Sequence, residues 1–103
     1  MAGLPHDKNS SPVPALFPAL QQTVTVASSS ARTAANFGAN TLVVELTPTK
    51  NMFVLFGDST ATADSNDIYL AAGVVYTYAT NGHSRIAAIR ATADGTLYVT
   101  ELQ

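Results

Sequence analysis

Cysteine is absent from all 103 residues, so neither a disulfide framework nor a thiolate metal site can hold this chain together, and its redox compartment stays unmarked. Charge is scarce as well. Asp, Glu, Lys and Arg make up 12% of the residues, about half of the roughly 25% usual in soluble domains. The basic residues are Lys8, Arg32, Lys50, Arg85 and Arg90, scattered along a chain of net charge -2. They are too few to neutralise a run of phosphates, which excludes nucleic acid as the partner. No stretch approaches the about 18 apolar residues of a membrane span. The opening MAGLPHDKNSS lacks the basic and apolar regions of a secretion signal, and a soluble chain away from membranes is expected. The length leaves room for one domain with one modest core, not for a two-domain enzyme with a cleft between its halves.

The apolar fraction, 47%, is ordinary, so Thr, Ser, Asn and Ala must cover the outside in place of charge. Such a surface is cheap to desolvate against another protein, because few ions are stripped of water. The composition therefore leans towards assembly. It equally fits an ordinary all-β surface, since Thr suits strands.

Residues 1 to 21 predict an extended arm. Pro5, Pro12, Pro14 and Pro18 are spaced so that neither a helix nor a paired strand runs for long, because each proline lacks an amide donor and restricts its predecessor. Val13, Leu16, Phe17 and Leu20 are apolar within it and are the expected partner-binding residues, docking on the chain's own domain or on a neighbour.

Residues 22 to 103 predict a β-domain. Thr23 to Val26 alternate with period two, and Thr41 to Thr47 put Leu42, Val44 and Leu46 on one face. A short strand is also expected within 33 to 36. Met52 to Phe56 is apolar on both faces, as in a strand covered on each side. Gly57 to Asn66 reads as an exposed acidic loop, followed by a short strand at Ile68 to Leu70. Asn81-Gly82 and Asp94-Gly95 are hairpin dipeptides, predicting an antiparallel meander of Val74 to Ala79, Ser84 to Ala91 and Thr96 to Leu102. Ile86 and Ile89, three apart, give the one hint of a helix. About seven short strands with polar turns predict an all-β fold, a small antiparallel sandwich that is jelly-roll-like or barrel-like. Its core is expected from Val24, Val26, Leu42, Val44, Leu46, Val54, Phe56, Ile68, Leu70, Ile86, Ile89, Leu97 and Val99.

Few residues carry chemistry. Phe56-Gly57-Asp58-Ser59 matches the FGDS opening of GDSL-type hydrolases, whose serine needs a histidine base and an orienting carboxylate. Only His6 and His83 are present, and no acidic residue stands three before His83, so no enzyme is expected. Asp58, Asp64 and Asp67 could offer oxygen ligands to a calcium ion, but at no established spacing, and a solvated loop is the expectation. Two distant histidines form no zinc set. Tyr69, Tyr76, Tyr78 and Tyr98 could stack on a sugar, although strand tyrosines more commonly rim a core. No cofactor is expected.

The run from Phe53 to Ser59, then Thr60-Ala61-Thr62-Ala63, Asp67, Leu70, Ala72-Gly73, Ile86 to Ile89, and Asp94-Gly95-Thr96-Leu97-Tyr98-Val99-Thr100 resembles small virion structural proteins of tailed bacteriophages. Order and spacing carry the resemblance, which covers roughly Thr41 to Leu102. It implies a β-sandwich of the capsid decoration or cement type on the capsid exterior. The implied partners are the major capsid protein and neighbouring copies of itself, in an oligomeric or lattice-bound state. A neck, tail or head-fibre component of the virion is the first alternative, and a host-glycan-binding module on its surface the second. The resemblance transfers no catalytic residues.

Overall fold

The computed structural model describes residues 18–103, and all regular structure in them is β. The strands are β1 (Pro18–Val26), β2 (Ala31–Arg32), β3 (Val43–Pro48), β4 (Met52–Gly57), β5 (Ile68–Leu70), β6 (Tyr76–Ala79), β7 (Arg85–Arg90) and β8 (Gly95–Leu102). They form two four-stranded antiparallel sheets packed face to face, the first in the order β1-β8-β3-β6 and the second β2-β7-β4-β5. The expected small sandwich is thus the observed fold.

Alternation decides the interior. Val24 and Val26 of β1, Val44 and Leu46 of β3, and Leu97 and Val99 of β8 point inward from the first sheet. Met52, Val54, Leu70, Ile86 and Ala88 meet them from the second, and all are essentially closed to water. Each large aliphatic side chain so buried stabilises the fold by about 2 kcal/mol. Phe56, Tyr76 and Tyr78 close the rim, with Phe56 edge-on to Tyr78 at 6.0 Å and the two tyrosines stacked at 6.2 Å.

Three expected core residues lie elsewhere. Leu42 precedes β3 and is 64% exposed; at that end of the sandwich Phe37 and Thr41 are buried instead. Ile68 sits on the short edge strand β5 and is 41% exposed. Ile89 lies on the opposite face of β7 from Ile86, because residues an odd number apart on a strand point to opposite sides. It packs on the outside of the second sheet with Leu55, Ala61, Ala63 and Ala87.

That outer cluster changes the reading of the acidic loop. Residues 58 to 67 do not stand in solvent as a whole; they fold back, burying Ala61 and Ala63 against the sheet. Arg32 donates to the Ala61 carbonyl at 2.9 Å, and Ser30 Oγ accepts from the Ala63 amide at 2.9 Å. The strand Met52 to Gly57 is covered on both faces, as its two-sided hydrophobicity requires, the outer cover being its own following loop.

The expected meander does not form. β6 pairs with β3, β7 with β2 and β4, and β8 with β1 and β3, so the chain changes sheet at both hairpin dipeptides. Asn81 and Gly82 do adopt positive φ, 50° and 82°, which is the backbone that such a dipeptide favours. Turn chemistry sets the local bend and leaves open which strands it joins. Gly95 is needed for a different reason. A Cβ there would lie 2.9 Å from Lys50 Cβ and Thr49 Oγ1, since the 48–51 turn packs on the start of β8 through Thr49 N to Thr96 O and Thr96 N to Thr49 Oγ1. No strand forms at 33 to 36, where one was expected; the short strand of this region is Ala31–Arg32, paired with Ala88 and Ala87.

Pairing in the first sheet starts at Pro18 rather than Gln22, with a register irregularity between Pro18 and Leu20. A proline is tolerated as the first residue of an edge strand, where its missing donor is not required.

Candidate functional site

The loops that carry the sequence-level candidates gather at one end of the sandwich. Phe37 N donates to Ser84 O (2.8 Å), Ser84 N to Gly57 O (2.9 Å) and Thr80 N to Leu42 O (3.0 Å), lacing three connections together. Two shallow depressions flank His83 there. One, of about 520 Å³, lies between Phe37, Leu42, Ala79 and Thr80; the other, of about 380 Å³, between Phe56, Asp58 and Ala61.

Glu101 organises this end. On β8, Leu97, Val99 and Glu101 share the inward face, and the carboxylate is completely buried. Its Oε1 accepts from the Gly38 amide (2.6 Å) and the Thr41 hydroxyl (2.7 Å), and its Oε2 from Gln22 Nε2 (3.4 Å). Gln22 also clamps Ala35, accepting its amide and donating to its carbonyl at 3.1 Å each. A buried carboxylate needs such donors to offset desolvation. Glu101 therefore pins the 33–41 loop across the sheet end and has no face left for a ligand. The reading of the sequence passed over it, although its place two residues after Val99 on an inward row was the available signal.

The FGDS segment is a turn. Asp58 Oδ1 accepts from the Thr60 amide (2.8 Å) and hydroxyl (2.6 Å), and Ala61 N donates to Asp58 O (3.1 Å). The Thr60 hydroxyl and then its amide, with a weaker attraction from Arg32, hold the Asp58 carboxyl below its ordinary value. Gly57 is required because a Cβ there would come within 2.8 Å of Ala61 Cβ. This is the bend that throws the 58–67 loop back over the second sheet. Ser59 is exposed, and among the described residues no hydrogen bond joins it to His83.

The other carboxylates of the loop are likewise used by backbone amides. Asp67 Oδ2 accepts from Asp64 N at 2.7 Å, and Asp64 Oδ1 from Asn66 N at 2.8 Å. Among the described residues no group of three or more His, Cys, Asp and Glu side chains is placed to hold a metal ion. The tyrosines do not converge. Tyr76 and Tyr78 face each other and the rim, Tyr69 packs on Phe53 at the outside of the second sheet, and Tyr98 projects from the outside of the first.

Of the residues expected to bind a partner, Val13, Leu16 and Phe17 lie outside the described residues. Leu20 is on β1 opposite Glu101 in register and is 56% exposed. A nearly uncharged surface is offered by the outer face of the first sheet. Its cross-strand rows are Thr25–Thr96, Thr23–Tyr98–Thr47, Gln21–Thr100–Glu45–Thr77 and, at one end, the apolar row Pro18–Leu102–Val43–Ala79, a threonine-rich surface with a single carboxylate. Compared with known proteins, the chain matches no family model, no curated protein and no solved structure.

Proposed function

We propose that this protein is a structural component of a bacteriophage virion, a decoration or cement protein that binds between major capsid subunits on the shell exterior and stabilises it. The observation that carries the reading is the nearly uncharged threonine face of the first sheet. It offers hydroxyls and methyl groups to a protein partner and has few ions to strip of water. Exposed Leu20, at the start of β1, follows in sequence the segment that holds Val13, Leu16 and Phe17, and all four are proposed as the attachment residues. By linking subunits that would otherwise separate, bound copies raise the free energy needed to open a shell under the pressure of packed DNA.

Because the β-ladder begins at Pro18, the arm is tested by removing residues 1 to 17 and leaving β1 intact. The shortened chain is expected to fold with unchanged circular dichroism, to lose occupancy on decoration-free capsids, and to leave those particles less heat-resistant. Unchanged occupancy and heat resistance would refute the arm's role. Copy number per particle, from a quantitative gel against the major capsid protein, separates a shell component from a neck, tail or fibre part present at a few copies.

A further inference from the structure

We infer that the β5–β6 edge of the sandwich is a self-association surface, where β6 of one copy pairs antiparallel with β6 of a second across a twofold axis. β5 ends the second sheet and β6 ends the first, and residues 71 to 75 bridge them on the same side of the molecule. Four large apolar residues are exposed along this stretch: Ile68 (41%), Tyr69 (48%), Val74 (45%) and Val75 (54%).

Edge strands are ordinarily guarded by lysine, proline, inward-pointing charge or a covering loop. Every residue from Ile68 to Gly82 is uncharged and none is proline. The opposite edge is treated differently. There Gln22 of β1 doubly clamps Ala35 in the loop after β2, and Arg90 N of β7 donates to Ala27 O, just past β1, at 3.0 Å.

The presentation is rigid rather than loose. Ala71 N donates to the Tyr76 hydroxyl (3.0 Å), Ala72 N to Asn51 Oδ1 (2.9 Å) and Gly73 N to Pro48 O (2.8 Å). Gly73 takes the left-handed conformation, φ 76°, that the turn needs. The two valines are thus held in place before β6, with little ordering left to do on association.

A second copy is the occupant that this chemistry selects. A partner chosen by charge would need charge to read, and here there is none. Two identical neutral edges meet without like-charge repulsion, and antiparallel pairing about a twofold is the self-complementary arrangement. The outward amides and carbonyls of β6 then find partners, making one eight-stranded sheet of the two first sheets. The inference gives the virion reading its contact between neighbouring copies and rests on that reading for its setting only.

The test is sedimentation of the full chain, without capsids, over a range of concentrations, together with a Val74→Lys/Val75→Lys variant. The wild type is expected to reach twice the monomer mass and the variant to stay monomeric with an unchanged fold. Should the variant fail to fold, amide exchange on the wild type decides. Residues 76 to 79 should gain protection as concentration rises, while 18 to 26 do not. A monomeric wild type at every concentration, a variant that still dimerises, or a larger ring would overturn the twofold edge pairing. Any of these leaves the capsid-occupancy assay untouched.

Discussion

The outer faces of the two sheets solve the same problem in opposite ways. The first sheet turns threonines, Tyr98 and Glu45 outward, with Thr23, Thr25, Thr77 and Tyr98 exposed among the described residues. The second turns Leu55, Ala87 and Ile89 outward and must hide them, which it does by folding residues 58 to 67 over them. One face is made compatible with water by composition, the other by covering. The difference explains in part how so few charges suffice for 103 residues: some of the apolar surface is hidden by a loop and the outer face of the first sheet is hydroxyl-rich, while Ile68, Tyr69, Val74 and Val75 stay exposed at the β5–β6 edge. It also assigns the two faces different freedoms, since the loop-covered face cannot meet a partner without rearrangement.

The sharpest way to break this contrast is to place the same charge on each face. Ala87→Asp puts a carboxylate under the loop, at a site wholly closed to water, and should destabilise the protein by about 4 kcal/mol or more, since an unpaired charge is being buried. Thr25→Asp, on the exposed face opposite Thr96, should change stability by less than about 1 kcal/mol. Urea unfolding of the two variants checks both values, and equal losses would mean that the faces do not differ.

A smaller effect isolates the loop's attachment. Arg32→Ala removes the hydrogen bond to the Ala61 carbonyl and should lower stability by about 1 kcal/mol. Amide exchange at Ala61 and Ala63 is expected to accelerate, while the strands of the first sheet keep their protection. Slower exchange in the loop, or acceleration spread evenly over both sheets, would contradict local detachment.

The smallest effect is the pH response of the turn where the cover begins. Asp58 in the folded chain titrates below its ordinary value of 3.8, so its contribution is fully present above that value and is lost as pH falls through the folded one. Thr60→Ala should return the carboxyl towards its ordinary value, read by NMR titration of the Asp58 side chain. An unshifted titration in this variant would mean that Thr60 is not the cause.

Period-two alternation placed Val24, Val26, Val44, Leu46, Val54, Leu70, Ile86, Leu97 and Val99 correctly in the core, because a strand's parity is a local property. It failed where parity meets an end or a second surface. Leu42 lies just beyond the rim, Ile68 lies on an edge, and Ile89 serves an outer cluster whose other half arrives from residues 61 and 63. Asn81-Gly82 gave the correct backbone bend, but strand partners depend on contacts distant in sequence, and no dipeptide encodes them. At the candidate site, FGDS was legible as a strand end and turn. Glu101 was not read, because the donors that make its burial tolerable come from Gln22, Gly38 and Thr41, which no spacing rule connects to it.

The position of β8 between β1 and β3 bears on how the chain comes to be folded. β1 and β3 do not touch as partners; β1 finds its ladder, and β3 one of its two, on Gly95–Leu102, which leaves the ribosome after both. Until then β1 has no partner strand, while β3 can already pair with β6 and face the second sheet. Pairings this distant in sequence place folding in the slow range, about milliseconds to seconds. A chain cut short before Gly95 would not be a slightly weakened sandwich. It would keep the β3–β6 ladder and the second sheet but leave β1 without the strand it pairs with.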